Sequence, residues 1–235
     1  MSFFTSLGIV ILSMLIIAIL QFRPAIFSIF YHYASGKYSR AKLQDLCFSF
    51  FFGSILFSAL LFTIINIFLS ALAHTDINFT NGILTWALIG ILFALSLLSF
   101  FCYFRKGPGT ELFISRPLAQ NFLSRAGSAK TASDGFMLGF FSNLPEIFFT
   151  LPLYIIIFIE LDRLSISAFS LAATLLTCIL TTIIPLFIIY ISYRSGYNLS
   201  DITKFRIKNK PFYRIFIGIS YLTLVALIIS FRNLL

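Results

Sequence analysis

Six long apolar runs, separated by short polar or basic segments, account for most of the chain. They extend over about Phe3 to Leu20, Leu46 to Ala73, Ile83 to Phe104, Gly135 to Ile159, Leu164 to Tyr193 and Ile215 to Phe231. A helix that crosses the hydrocarbon core of a bilayer needs roughly 20 predominantly apolar residues, and each run is about that long or longer. The pattern predicts an all-α, polytopic membrane protein with six transmembrane helices in three hairpins and both termini outside. It forms a single domain over residues 1–235, with little chain left for a soluble unit. The external links, at His74 to Asn81 and Glu160 to Arg163, are short.

Composition agrees with the pattern. Hydrophobic residues make up 59% of the chain and charged residues 11%, where soluble proteins have about a quarter charged, and the mean hydropathy is +0.99. The charges give the orientation, because Lys and Arg collect in short cytoplasmic loops. Arg23, Lys37, Arg40 and Lys42 follow the first run. Arg105, Lys106, Arg116, Arg125 and Lys130 follow the third, and Arg194, Lys204, Arg206, Lys208, Lys210 and Arg214 follow the fifth. Of the 17 Lys and Arg, only Arg163 and Arg232 lie on the other side. The net charge of +9 is then a property of the topology and of attraction to anionic headgroups, and a nucleic-acid partner has no separate support. The expected location is the inner or plasma membrane. The first run lacks the positive flank and small-residue cleavage site of a leader, so it reads as a span inserted with its N-terminus outside.

Polar residues inside the runs are the candidates for chemistry. Glu146 is the one charged side chain deep within a run, where an ionised carboxylate is costly and tends to face a protein interior or a watery cavity. Along the fourth run Gly135, Gly139, Asn143, Glu146 and Thr150 follow at steps of three or four and share one helix face, with Phe136, Phe140, Leu144, Phe148 and Leu151 elsewhere. Pro145 removes a backbone donor and frees the carbonyl of Phe141, and Pro152 repeats the disruption. Glu146 stands about 17 Å from Gly135 along a helix, near the middle of the roughly 30 Å core. On the fifth run Ser170, Thr174, Thr177, Thr181 and Pro185 form a second stripe, with Thr181 at a similar depth. Two accounts of these stripes stand side by side. They line one cavity, with Glu146 binding a cationic group or exchanging a proton, or they are small and polar residues that let helices pack closely and hold together.

Other features point away from catalysis. Asp45 and Asp134 are spaced as two carboxylates at the cytoplasmic ends of the second and fourth spans, the arrangement of an intramembrane aspartyl protease. Ser133 stands where the Gly-x-Gly-Asp pattern of those enzymes requires glycine, however, and each aspartate is placed to cap a helix start. Cys47, Cys102 and Cys178 have no CxxC spacing, and His32 and His74 form no pair, so neither a metal nor a cofactor is expected. The loop segments from Arg23 to Lys37 and from Ile114 to Phe122 are amphipathic enough to lie in the headgroup layer. A short internal echo relates Phe50-Phe51-Phe52-Gly53-Ser54 to Gly139-Phe140-Phe141-Ser142-Asn143.

Six short-looped helices, an outside N-terminus and a proline-bearing fourth span after a long cytoplasmic loop resemble the lysine exporter superfamily of small six-helix transporters and its relatives, the cytochrome c biogenesis thiol transporters. The likeness covers the whole chain and is architectural. The thiol branch carries cysteines in its first and fourth spans, and those spans have none here. The exporter branch implies outward movement of a small solute. The function expected from the sequence is therefore a small-solute transporter, with Glu146, Asn143, Pro145, Thr150, Thr177 and Thr181 along the substrate or proton path. The alternative is a non-transporting membrane scaffold or assembly factor whose basic loops dock a partner protein or anionic lipid. An enzyme is not expected.

The division of basic residues makes the topology testable. Cysteines placed at Asp76 or Asp162 are predicted to react with a membrane-impermeant thiol reagent outside intact cells, and cysteines at Lys130 or Lys208 to stay unlabelled. External labelling at Lys130→Cys overturns the six-span arrangement.

Overall fold

Long apolar runs propagate as helix, and among the described residues seven helices form where the runs lie. The computed structural model describes residues 3–21, 40–73, 82, 84–101, 124–125, 127–144, 147–163, 169–194, 204–205 and 208–232. Its helices are α1 (Phe3–Gln21), α2 (Arg40–Ala73), α3 (Thr85–Phe101), α4 (Ala132–Phe141), α5 (Ile147–Arg163), α6 (Phe169–Arg194) and α7 (Lys210–Arg232). Three contain stretches long and apolar enough to cross a membrane, Phe4–Gln21, Ala41–Leu69 and Pro211–Ser230, while α3, α5 and the Ile179–Ser192 part of α6 are shorter and equally apolar. The protein is all-helical among the described residues and carries the helices of a membrane protein. The interfacial segments expected at Arg23–Lys37 and Ile114–Phe122 lie outside the described residues, as do His32, His74 and Cys102.

Three boundaries differ from the sequence expectation. First, α2 begins at Arg40, so Asp45 is an exposed residue of its second turn and does not open the helix. Second, the fourth run is two helices and not one kinked span. Third, α5 continues to Arg163, and Glu160, expected in an external link, is a buried helical residue with 4% of its surface exposed. Glu160 thus carries an acidic side chain into the packed last turn of α5. At the start of α7, Pro211 occupies the first turn, where its missing N–H has no helical partner to lose.

The inner faces are continuous stripes. In α1 the buried positions are Ser6, Ile9, Val10, Ser13, Ile16, Ile17, Leu20 and Gln21, a helical repeat of three and four. They meet α5, α6 and α7, while α3 packs on α7 and α6 on α2. Large apolar side chains such as Phe4, Phe52, Phe148 and Phe212 remain exposed around the outside. A single core of Ile16, Ile17, Phe57, Leu92, Leu153, Ile157 and Tyr221, among others, runs through the bundle.

The most extensive pairing joins α2 to α4. Leu46 meets Gly135 and Phe50 meets Gly139, so the two helices run side by side in the same direction. A Cβ at Gly139 would fall on the Phe50 carbonyl, one at Gly53 on the Phe136 carbonyl, and one at Gly135 would stand 2.7 Å from the Leu46 oxygen. Small residues at such a contact let backbones touch, which drives helix association where no hydrophobic force is available. The two halves of the internal echo are the segments that meet here, each offering a glycine to the phenylalanine run of the other, and Phe57 packs edge-on against Phe140 with ring centroids 5.4 Å apart. The glycine-bearing first half of the fourth run thus rests on the second run, while its second half, α5, contacts α6 of the fifth run.

Because the neighbour at Gly139 is backbone, no side-chain movement relieves an added group, and overpacking of this kind costs about 1–3 kcal/mol or more. Gly139→Leu and Gly53→Ala are predicted to reduce the folded, detergent-resistant fraction strongly. Phe140→Leu should reduce it less, and Gly90→Ala, where no atom lies within 4 Å of the added Cβ, should leave it unchanged. Equal sensitivity of Gly139→Leu and Phe140→Leu would show that this face is assigned wrongly.

Candidate functional site

The interruption of the fourth run is the centre of the site. Proline lacks an N–H and its ring crowds the carbonyl four residues back, which for Pro145 is that of Phe141, and α4 ends at Phe141. Ser142 still donates its N–H to Leu138 at 3.0 Å, but the Asn143 N–H turns to the Phe140 carbonyl at 3.5 Å. The Gly139 carbonyl, which a continuous helix would bond to that N–H, is left to side chains. Ser142 Oγ reaches it at 2.8 Å, Asn143 Nδ2 at 2.9 Å and Ser54 Oγ, from α2, at 3.1 Å. Ser and Asn side chains compete with the helix ladder in this way, so the residues around the proline reinforce the break. All three side chains are buried.

One turn further along α2, Ser58 forms a second junction. Its hydroxyl and that of Thr182 on α6 lie 2.7 Å apart, and the Tyr154 hydroxyl of α5 stands 3.2 Å from the same Thr182 oxygen. Thr182 is completely enclosed. Ser54 and Ser58, at i and i+4 on one face, therefore tie α2 to α4 through one and to α5 and α6 through the other. Nearby, Tyr221 of α7 donates to the Phe149 carbonyl at 2.9 Å, in the turn of α5 that Pro152 disrupts.

The expected site residues divide between these places. Asn143 joins Ser54 at the break, and Thr150 is buried at 2% exposure. Thr181 is buried and donates to the Thr177 carbonyl of its own helix at 3.1 Å, so this pair is bonded along α6. Pro145 and Glu146 lie outside the described residues, as do the side chains of Ser170, Thr174 and Cys178. Ser54, Ser58, Tyr154 and Thr182 were not singled out from the sequence. The signals were present: two serines four apart after Gly53, and a tyrosine in an apolar run, whose hydroxyl needs a partner once buried. Thr182 sits one position off the expected threonine stripe.

The aspartates separate in role. Asp134 Oδ2 accepts the backbone N–H of Lys130 at 2.8 Å and of Thr131 at 2.9 Å, and the Thr131 hydroxyl at 2.9 Å. Thr131 is the N-cap and Asp134 closes a capping box, and the two backbone donors hold its carboxyl below the usual aspartate range. Asp45 is exposed in the second turn of α2. Cys47 is a buried free thiol, and the described residues contain no group of three potential metal-ligating side chains. No protein-family model, curated protein or solved structure matches this chain.

Thr182 bonds two hydroxyls from other helices, so Thr182→Val removes both bonds and is predicted to destabilise the protein by about 1–2 kcal/mol. Adding Ser58→Ala to that variant should change little, while Ser58→Ala alone is harmful. Reversible unfolding in detergent gives the coupling, and strictly additive effects would mean that the Ser58–Thr182 bond does not form.

Proposed function

We propose that the chain is a six-span small-solute transporter of the inner or plasma membrane, whose path crosses the bundle at the break in its fourth span. One observation carries the reading: a helix in an apolar bundle is interrupted between Phe141 and Ile147, and the interruption is furnished with buried polar side chains from two elements. Broken helices with unwound backbone near the midplane are where secondary transporters build their sites, and irregular backbone at that depth is tolerated only against protein or a cavity. Ser142 lies seven residues past Gly135, where the apolar run begins, about 10 Å at 1.5 Å per residue, well inside the roughly 30 Å core.

Asn143 and Thr150 line the path from the fourth span, and Thr177 and Thr181 from the fifth. Pro145 provides the break. Glu146, which the sequence places inside it, exchanges a proton or meets a cationic solute group. Ser13 supports an inner lining with capacity to spare. It is fully buried at the middle of α1, and its hydroxyl makes no hydrogen bond among the described residues. The lack of cysteines in the first and fourth runs speaks for the exporter branch of the superfamily named above, and loop charge for both termini outside.

The competing scaffold reading makes the same polar groups dry interhelical glue, and solvent access separates the two. In a variant whose native cysteines are replaced, Asn143→Cys is predicted to react with a small water-soluble thiol reagent in membrane vesicles, at a rate that depends on the side of addition. A cysteine that stays inert from both sides in a folded protein would remove the path and leave the scaffold.

A further inference from the structure

The described groups gathered at the end of α4 are neutral, and each carries an oxygen able to act as a ligand: the Gly139 carbonyl, the hydroxyls of Ser54 and Ser142, and the amide of Asn143. We propose that this cluster is the binding site of a monovalent cation of sodium's size. The proposal rests on the transport reading only in giving the ion a coupling role, since binding itself is measurable without it.

Four physical points select that ligand. Oxygen donors suit hard cations, whereas transition metals seek nitrogen or sulfur. The four groups bring no formal charge, and Glu146, which the sequence places beside them, adds at most one negative charge, so the site offsets the desolvation of a single positive charge far better than that of two. The site is also the carbonyl end of a half-helix, which carries about half a negative elementary charge and repels anions; the unwound carbonyl ends of broken helices hold sodium in transporters for this reason. Size is the last point. The three donors to the Gly139 oxygen stand 2.8, 2.9 and 3.1 Å from it, so the cluster is tight, and an ion of about calcium's radius, which sodium nearly shares and which takes ligands about 2.3–2.6 Å away, parts it least. A larger ion would push Ser54 away from Gly139, against the backbone contact of α2 with α4.

The same atoms serve an empty and a filled state without backbone motion. A carbonyl oxygen has two lone pairs, and three donors converge on this one. Hydroxyl protons rotate freely, and an asparagine amide turns end for end to exchange its NH2 for its oxygen. Rotating Ser54, Ser142 and Asn143 in this way replaces three donors around the carbonyl with lone pairs facing an ion. The hydrogen-bonded cluster is thus the ion-free arrangement of the site.

The test is thermal unfolding of the purified full chain in lipid nanodiscs, titrated with NaCl, KCl or choline chloride at constant ionic strength. A ligand that binds only the folded state raises Tm progressively, with the logarithm of its concentration once that exceeds Kd, and Ser54→Ala and Asn143→Ala are each expected to raise the sodium concentration needed for a given shift by about tenfold or more. Thr63→Ala, whose hydroxyl bonds back to Ala59 on the exposed side of α2, should respond as wild type does. Equilibrium binding of radioactive sodium to the unmodified chain, expected at a single saturable site, covers the case in which a variant fails to fold. Absence of that site, a Tm response equal in potassium or choline, or a full sodium response in folded Ser54→Ala overturns the proposal. A solvent-accessible Asn143→Cys without sodium binding would sink this site and leave the path intact. Sodium binding with an inert Asn143→Cys would remove the path and leave an ion-stabilised bundle.

Discussion

A helix that stops inside an apolar bundle leaves carbonyls that lipid cannot bond, each costing several kcal/mol if left bare. Here that constraint falls on Gly139, whose helical partner is diverted to Phe140. Two of its replacement donors are local, and the third, Ser54, comes from another helix. A serine is short, so Ser54 reaches a backbone oxygen only if the two helix axes come very close. That distance is possible only because Gly53 and Gly139 carry no Cβ where each meets the opposing backbone. The break, the glycines and the serine form one device, and each depends on the other two.

The rest of the bundle builds outward from α2. Its Ser58, one turn beyond Ser54, meets Thr182 and through it Tyr154, so one face of one helix holds the fourth and fifth runs in register. Around this polar seam the core is made of apolar side chains, chiefly from α1, α2, α3, α5 and α7. Dispersion packing supplies cohesion there and the few hydroxyl bonds supply alignment, the division expected where the solvent outside is as apolar as the core.

Much of the architecture was legible in the residue pattern. The six runs fall where the helices lie, and Pro145 marked the interruption before any coordinates. What the pattern concealed has a common cause: residues facing lipid and residues facing the core are alike apolar, so periodicity does not distinguish the faces. Gly135 and Gly139 announced a close contact without naming α2 as the partner. Thr181 was favoured over its neighbour Thr182 because a stripe of small residues seemed to define the inner face, yet both are buried. Glu160 appeared to end a span because charge usually does, and the helix carries it inside. Asp45 looked like a cap, but helical residues from Arg40 precede it, whereas Asp134 does close a capping box with Thr131.

The central claim is that the fourth run is two helices whose junction is bonded to α2. Backbone chemical shifts of the isotopically labelled protein in lipid bilayers, measured by solid-state NMR from Ala132 to Arg163, test it most directly. The account predicts helical shifts to Phe141, a non-helical interval beginning at Ser142–Asn143, helical shifts again from Ile147, and a through-space correlation between the Ser54 side chain and Gly139. Uninterrupted helical shifts across the interval, with no such correlation, would contradict it.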